Sequence, residues 1–406
     1  MIKRAIEVGV LGLFASACGT DSTNTCSDVS GTACTWAGVK EHSGFNDTTG
    51  AHDRTEAWLN FPADVTFAPD GRPWIVDWNN HMVRRVEDDG TLKTMIGTGY
   101  EGDGPGESPA DPTYESDRLP LGNPVGALGT KVALNHPTQV AFAPDGTVVL
   151  AAWHDNKLRV MDPITNIVKV LAGDSYGFAG DGEPAYMAVF NVPKAIAIDP
   201  AGQIYLIDQR NERLRMIAND ADRTITTVAG NGTNGYAGDG GDVSLAEFGW
   251  QQGVTPIPGG ALALHGTDLY ISDGLNHRIR KLDLLTRQMT CIAGTGVGGY
   301  GGDGGPALSA QLDNPLDMEF GPDGRLYVAD TGNNAIRAIN LETGVVDLVA
   351  GQPTASCPGL QNCFEAEEGL DALHVQFAVP YGITFDPTGN LYVADTNNSR
   401  IVRIAK

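Results

Sequence analysis

The sequence has few aromatic residues, few cysteines and no long apolar run. Aromatic residues make up 7% of the 406 positions, and there are 6 cysteines. No stretch approaches the roughly 20 apolar residues that a membrane-spanning helix needs. There is also no Cys-x-x-Cys, His-x-His or His-Glu-x-x-His spacing, so the sequence gives no support to a thiol-redox site or a zinc centre of those types.

Positive charge is scarce as well. The chain has 27 Lys and Arg against 50 Asp and Glu, which gives a formal net charge of −23. Such a chain repels nucleic-acid phosphates and anionic lipid headgroups, so we expect no nucleic-acid partner. Its acidity keeps an exported protein soluble and leaves cations, basic partners and neutral glycans as candidate ligands.

The N-terminus has the layout of an export signal. Lys3 and Arg4 precede an apolar run, and small residues lead to Cys18. The segment Ala15-Ser16-Ala17-Cys18 resembles a bacterial lipobox, which implies a signal peptide over 1–17, lipid on Cys18 and a tether over 18–33. The alternatives are an ordinary signal peptide or a short buried helix. We predict a membrane-anchored lipoprotein that faces the periplasm or the cell surface and contacts the membrane only through this anchor.

Removing Cys18 leaves an odd number of cysteines in an oxidising compartment. Cys26 with Cys34 would close a loop just before the first strand, and Cys357 with Cys363 would staple a later loop. Cys291 would then remain as a small residue inside a strand.

Proline and glycine punctuate a repeated unit. A proline opens each unit, a Pro-x-Gly turn such as Pro322-Asp323-Gly324 joins its first two strands, and the second strand ends at Asp. An Asn follows three positions later and an Arg seven positions later, which we expect to cap the loop and pair with the Asp. The anchoring positions indicate six units: Asp77, Ala152, Asp208, Asp273, Asp330 and Asp395. The last unit has Val402-Arg403 in place of the Arg.

Units such as LYVADTGNNAIR, preceded by GYGGDGGPALSAQLDNP, resemble NHL repeats of bacterial extracellular proteins. The resemblance implies an all-β, six-bladed β-propeller of four-stranded blades over 34–406. The sixth unit stops after its third strand, so we predict that the N-terminal segment from Thr35 supplies the missing strand and closes the ring. About 20 extra residues in the first gap are predicted to be an insertion within 107–128.

The long linkers between blades are predicted to gather on one face of the disc. Four of them carry Gly-Asp-Gly, with the acids Asp103, Asp181, Asp239 and Asp303. Oxygen-rich loops can hold Ca²⁺, whereas an Asp between glycines can also cap a tight turn. Both interpretations stay open here.

The same face should carry the mouth of the axial channel. Its predicted residues follow the opening prolines and differ from blade to blade: Asp64, Gln139, Lys194, Gly260, Asp317 and Tyr381. His136 precedes Pro137 near the same mouth. Asp64 and Asp317 could share a cation or a polar ligand across the channel, or be hydrated rim residues.

The leading functional hypothesis is a monomeric, non-enzymatic module that binds a protein or a glycan through the long-loop face. The alternative is a divalent-cation-dependent hydrolase or lyase with Asp64, Asp317, His136 and Tyr381 as candidate residues. A purely structural role in an envelope is the third possibility.

Overall fold

The computed structural model describes residues 26–39, 42–46, 52–105, 126–173, 175–252, 258–353 and 369–406. These ranges contain β-strands and short 3-10 turns but no α-helix. Among them we find no helix with the length and apolar character needed to cross a membrane. The predicted signal peptide, Cys18, the Cys357 and Cys363 pair and most of the predicted insertion lie outside the described residues.

The predicted six-bladed propeller is confirmed, because the strands form six antiparallel sheets with inner, second, third and outer strands in order. Blade 1 comprises Pro62–Phe67, Pro73–Asp77, Met82–Val86 and Thr91–Ile96, and blade 2 comprises Pro137–Phe142, Val148–Ala152, Lys157–Met161 and Ile167–Ala172. Blade 3 comprises Pro193–Ile198, Ile204–Asp208, Arg213–Ile217 and Ile225–Ala229, and blade 4 comprises Leu262–His265, Asp268–Asp273, Arg278–Asp283 and Gln288–Ala293. Blade 5 comprises Asp317–Phe320, Leu326–Asp330, Ala335–Asn340 and Val345–Gly351, and blade 6 comprises Pro380–Phe385, Leu391–Asp395, Arg400–Ile404 and Thr32–Ala37.

A 3-10 turn follows the second strand of five blades: Trp78–Asn80, Gln209–Asn211, Gly274–Asn276, Thr331–Asn333 and Thr396–Asn398. Blade 2 has an irregular turn at the same place. These turns and the ends of the linkers form one face of the disc, which we call the long-loop face. The Pro-x-Gly hairpins lie on the opposite side, the tight-turn face.

The ring closes as predicted. Thr32–Ala37, near the N-terminus, pairs antiparallel with Arg400–Ile404 near the C-terminus and becomes the outer strand of blade 6. The predicted disulfide between Cys26 and Cys34 is present, so the first described residue is joined covalently to this closing strand. Closure in this way removes the open strand edges that favour aggregation.

The apolar core is divided into six layers, one between each pair of neighbouring blades. The layer between blades 4 and 5 is typical, with Ile279, Met318 and Val328 packed against Ala307 and Leu312 of the linker. Because each blade is buried only by its neighbours, the linkers contribute part of the core.

Parts of the linkers lie on the long-loop face, where Gly177, Gly235 and Gly299 accept hydrogen bonds from the Asn side chains of the turns. The prediction that the whole linkers gather there was wrong. After leaving that face, each described linker runs along the outer edge of the next blade: Gly305–Pro306 pairs with Val345 and Val346, and Leu370–Asp371 pairs with the closing strand. His52–Asp53 and Ala127–Leu128 add the same fifth strand to blades 1 and 2. Gly104–Pro105 pairs instead with Val132–Ala133. The linkers follow the edge because the outer strand offers unpaired backbone groups there.

The disulfide should stabilise the ring by holding the closing strand. A cross-link over a loop this short removes about 2 to 3 kcal/mol of chain entropy from the unfolded state. We expect the Cys26→Ser/Cys34→Ser variant to lose backbone hydrogen-exchange protection first in Thr32–Ala37 and to melt a few degrees lower. Cys291→Ser, which removes a free thiol, is the control. Equal protection of the closing strand in the variant and the wild type would contradict this role.

Candidate functional site

A cavity of about 320 Å³ lies on the propeller axis. Its walls are the inner strands of all six blades, from Asp64 and Asp317 at one end to Phe67, Phe142 and Phe320 at the other. The Phe end is half-exposed, whereas Asp64 and Asp317 are each 5% exposed. The cavity therefore opens on the tight-turn face, and its floor points towards the long-loop face.

Lys194 and Tyr381 close the axis behind that floor. The Lys194 ammonium donates to the carbonyl of Leu316 at 2.9 Å and lies 5.9 Å from the centre of the Tyr381 ring. The Tyr381 hydroxyl donates to the carbonyl of Pro258 at 2.5 Å. Both residues are buried, so the predicted channel mouth on the long-loop face is filled by side chains.

The predicted mouth residues instead join neighbouring blades. Three of them accept a hydrogen bond from a backbone N–H in the inner strand of the next blade: Asp64 Oδ2 from Val140 at 3.4 Å, Gln139 Oε1 from Ile196 at 2.6 Å and Asp317 Oδ2 from Ile383 at 2.7 Å. Inner strands have a free edge along the axis, and these bonds satisfy part of it. Each of the two carboxylates also interacts with the backbone N–H of the residue that follows it, Val65 after Asp64 and Met318 after Asp317.

Burial shifts the pKa values of the axial groups. It raises the pKa of Asp64 well above its usual range, with a further rise from Asp317 and an opposing effect of Lys194. It raises the pKa of Asp317 to about 6 and that of Glu319 to about 8. Burial also lowers the pKa of Lys194, against the attraction of Asp317 and Asp64. Removing charged groups from water disfavours their charged forms, which accounts for every direction.

Glu319 is the axial residue that the sequence prediction missed. It lies two residues after Asp317 on the same strand, lines the cavity and accepts a hydrogen bond from its own neighbour, the Phe320 N–H, at 3.2 Å. The sequence did contain a signal for Glu319. Side chains two residues apart on a strand point to the same side of the sheet, so Glu319 was expected to share the side of Asp317.

The four Gly-Asp-Gly aspartates have a structural role. Each forms an ion pair with the fully buried arginine in the third strand of the following blade: Asp103 with Arg159 at 2.7 Å, Asp181 with Arg215 at 2.9 Å, Asp239 with Arg280 at 2.8 Å and Asp303 with Arg337 at 2.8 Å. In blades 3, 4 and 5 the same arginine also contacts the aspartate that ends the second strand of its own blade. Arg337, for example, lies 3.3 Å from Asp330. We call this arrangement the arginine clamp.

The predicted pairing inside the blades is confirmed in four of them, with Asp77, Asp208, Asp273 and Asp330 bonded to the Arg seven positions later. Two blades differ. In blade 6, Arg400 rather than Arg403 pairs with Asp395, at 2.8 Å, because Arg400 is its cross-strand partner. In blade 2, Asp155 replaces the missing acid, 3.9 Å from Arg159, and burial raises its pKa to about 8.

Aromatic and histidine side chains meet on the long-loop face between blades 1 and 2. We call Trp78, His81, His136, Trp153 and His154 the His/Trp patch. The His136 ring lies 4.5 Å from Trp78, 4.5 Å from His81 and 4.9 Å from His154, centre to centre. His154 stacks on Trp153 at 4.0 Å. Trp153 is buried, and the other four residues are half-buried.

The patch holds neutral imidazoles. His81 Nδ1 accepts the backbone N–H of His136 at 3.2 Å, which requires an unprotonated Nδ1. Burial lowers the pKa values of His81 and His154. Burial and the two neighbouring rings lower the pKa of His136 to about 4. The patch is therefore uncharged at neutral pH.

The residues considered for metal-dependent catalysis do not form one site. Asp64 and Asp317 line the axial cavity, Tyr381 lies behind its floor, and His136 belongs to the His/Trp patch. Within the described ranges, no group of three or more His, Cys, Asp or Glu is arranged to hold a metal ion. Gly173 to Gly177 has the spacing Gly-x-Ser-x-Gly, but it follows an outer strand without the helix that a nucleophile elbow needs.

Comparison with known proteins supports the repeat assignment. A family model described as NHL repeat matches residues 377–404. The protein SUPPRESSOR OF QUENCHING 1 of Arabidopsis thaliana is 27% identical over 71% of this chain and 26% of its own length. NHL repeat-containing protein 2 of Gallus gallus is 29% identical over 66% of this chain and 38% of its own length. This chain thus spans well under half of these two relatives.

Solved structures share the architecture. An auxiliary nutrient binding protein from Bacteroides thetaiotaomicron superposes with a TM-score of 0.61 at 14% identity, covering 91% of this chain and 75% of its own. One from Bacteroides ovatus gives 0.59 at 14%, covering 92% and 76%. At such low identity the likeness shows the fold alone. The repeated units, the family match on blade 6 and the NHL-repeat relatives together support the assignment of this β-propeller to the NHL-repeat family.

Proposed function

We propose that this propeller is an exported, surface-anchored binding module that takes a neutral glycan on its long-loop face, at the His/Trp patch. The observation that carries the proposal is the departure of blades 1 and 2 from the repeat. The turn after the second strand begins with Trp78 and Trp153 there, but with Gln209, Gly274, Thr331 and Thr396 in the other blades. A scaffold needs no such asymmetry, whereas a site for one ligand does.

The chemistry of the patch suits a sugar. Indole rings offer flat apolar surfaces that also carry an N–H donor, and neutral imidazoles both donate and accept hydrogen bonds. The indole N–H groups of Trp78 and Trp153 are buried, so the half-buried Trp78 ring and the imidazoles, rather than these N–H groups, would face a sugar. The net charge of −23 disfavours anionic ligands at the same surface. A protein ligand is the alternative that the experiment below distinguishes.

Export and anchoring rest on separate observations. The sequence ending Ala17-Cys18 predicts a lipid anchor, and the disulfide between Cys26 and Cys34 suits an oxidising compartment. The two Bacteroides propellers with this fold are described as auxiliary nutrient binding proteins, and a binding role is what we carry over in this proposal.

Binding should depend on the exposed aromatic ring beside the patch. Tyr100 is 69% exposed, and its neighbour Glu101 attracts His81 and His154. We expect the wild type to bind members of a panel of immobilised neutral oligosaccharides, and Tyr100→Ala to weaken that binding about 10-fold, because one stacking contact is worth roughly 1 kcal/mol or more.

Leu285→Ala is the control for this test. Leu285 is 77% exposed in the hairpin between the third and fourth strands of blade 4, on the tight-turn face, so its removal should leave the affinity within about 2-fold. Failure of the wild type to bind any neutral glycan would overturn the proposal and favour a protein ligand. Equal losses of glycan affinity in the two variants would show that the His/Trp patch is not the binding site.

The neutral state of the patch can be tested by its titration. The pKa of His136 in the folded protein, about 4, lies below the unfolded value of roughly 6.5. The stability that this group contributes is therefore complete above about pH 6.5 and is lost as the pH falls towards 4. Asp208, Asp273 and Asp330, with pKa values near 6, act in the opposite direction, so bulk melting is not a clean measure.

Proton NMR of the His136 ring resolves this one group. We expect a midpoint near pH 4 in wild type, and a higher midpoint in a His81→Ala/His154→Ala variant that lacks the neighbouring imidazoles. A wild-type midpoint at pH 6 or above would contradict the neutral patch.

A further inference from the structure

We propose that His277 is a pH-sensitive switch at the junction between blades 4 and 5 on the long-loop face. His277 ends the turn that follows the second strand of blade 4, and Asp313 and Asn314 lie just before the inner strand of blade 5. One ring atom of His277, Nδ1, lies 3.2 Å from the backbone nitrogen of Asn314 and 3.3 Å from Asp313 Oδ1. These two partners require opposite protonation states of the same nitrogen. The junction is separate from the His/Trp patch, which lies between blades 1 and 2.

The contact with Asn314 belongs to a set of equivalent bonds between neighbouring blades. A residue with positive φ in the turn after the second strand accepts the backbone N–H of the residue that precedes the opening proline of the next blade. We call these the junction bonds: His136 N–H to His81 Nδ1 at 3.2 Å, Val192 N–H to Asn156 Oδ1 at 2.8 Å, Asn314 N–H to His277 Nδ1 at 3.2 Å and Val379 N–H to Asn334 Oδ1 at 2.8 Å. The acceptor is an amide oxygen, which does not titrate, in two of them and an imidazole nitrogen in the other two.

The neutral His277 ring fits Asn314. An unprotonated Nδ1 is the acceptor that the Asn314 N–H needs, and the ring proton then lies on Nε2. The two blades are in close contact here, since a Cβ added to Gly274 would lie 2.8 Å from Asn314 Oδ1, and the Ser272 hydroxyl donates to the carbonyl of Pro315. A backbone N–H left without a partner in such a packed junction is costly. The neutral ring therefore favours the tautomer with a free Nδ1.

The protonated ring fits Asp313 instead. Uptake of a proton from water places an N–H on Nδ1, which can no longer accept from Asn314 and can donate to Asp313 Oδ1. The backbone of Asp313 is held independently, because its N–H donates to Asp330 Oδ1 at 2.7 Å and its carbonyl accepts the Gly332 N–H at 2.8 Å. The segment thus stays attached to blade 5 in both states, and the change is confined to its bond with blade 4.

Asp313 is the acid that meets the protonated ring. The other ionisable side chains on the elements packed around His277 have partners of their own: Asp273 with Arg280, Asp303 with Arg337 and Tyr300, Asp330 with Arg337, and Arg278 with the carbonyls of Gly294 and Thr295. The backbone of Gly298 packs against the ring, since a Cβ added there would lie 2.7 Å from it. The state of the junction therefore follows the proton on His277.

Amide hydrogen exchange of the full chain, followed by NMR from pH 8 to pH 5, tests the inference. Histidine side chains commonly titrate in that range, and ring nitrogen shifts report the protonation of His277. The Val379 N–H is an internal reference, because its junction bond ends on Asn334 Oδ1. We expect the protection of the Asn314 N–H, divided by that of Val379, to fall at least about 5-fold as His277 becomes protonated, since one hydrogen bond is lost.

Two variants separate the switch from a general effect of acid. His277→Asn gives blade 4 the residue type that blades 2 and 5 have at this position, and asparagine tolerates positive φ, so the protection ratio should stay constant with pH. Asp313→Asn removes the negative partner of the protonated ring, so the fall in protection should need a more acidic solution.

Three results would overturn the inference. They are a constant ratio in wild type while His277 titrates, an equal fall in His277→Asn, and a neutral ring that carries its proton on Nδ1. The comparison of Asn314 with Val379 within the wild type needs no variant, so it decides the matter even if a substitution disturbs folding.

Discussion

The buried arginine clamp is the interaction on which the rest of the structure depends. Arg215, Arg280 and Arg337 have no exposed surface, and a guanidinium group stays charged at any physiological pH. A buried charge is tolerated only when it is paired and hydrogen-bonded. One carboxylate comes from the blade itself and the other from the preceding Gly-Asp-Gly linker. The clamp therefore fixes the paths of the linkers that lead into blades 3, 4 and 5 relative to those blades.

That path determines where a ligand can bind. A linker held along the outer edge of a blade cannot form a large loop over the axis, so its acids serve the scaffold. What remains available are positions at which one blade differs from another. The His/Trp patch is such a place on the long-loop face, where Trp78 and Trp153 replace small or polar residues. The inner strands differ in the same way, since the position of Asp64 is taken by Lys194 in blade 3 and by Asp317 in blade 5.

Much of the fold could be predicted from the sequence because repetition displays it. The spacing from Asp77 to Asp395 indicates six units, and the missing outer strand of the last unit requires the N-terminal segment that Thr32–Ala37 supplies. The pairing of Asp330 with Arg337 also follows from spacing within one hairpin. These features are repeated or lie within one hairpin, so they can be recognised without knowing how the blades pack.

The candidate sites were harder to predict because they depend on contacts between blades. Asp303 and Arg337 are 34 residues apart, and no local pattern joins them. Lys194 and Tyr381 were predicted to form an open mouth, but they fill the axis with side chains from blades far apart in sequence. Arg400 replaces Arg403 in the last blade through strand register, which spacing from Asp395 did not show. The His/Trp patch likewise joins residues up to 76 positions apart, from Trp78 to His154, only after blades 1 and 2 pack.

The central claim is that the Gly-Asp-Gly acids hold buried arginines. A double-mutant cycle on Asp303 and Arg337, with Asp303→Asn, Arg337→Met and the double variant, measures it directly by denaturant unfolding. The account predicts that Arg337→Met alone costs about 3 kcal/mol or more and that the two changes are coupled by roughly 1 to 3 kcal/mol. It also predicts that added Ca²⁺ changes the free energy of unfolding of none of the four proteins. Additive effects, together with a Ca²⁺-dependent stabilisation that Asp303→Asn abolishes, would contradict it.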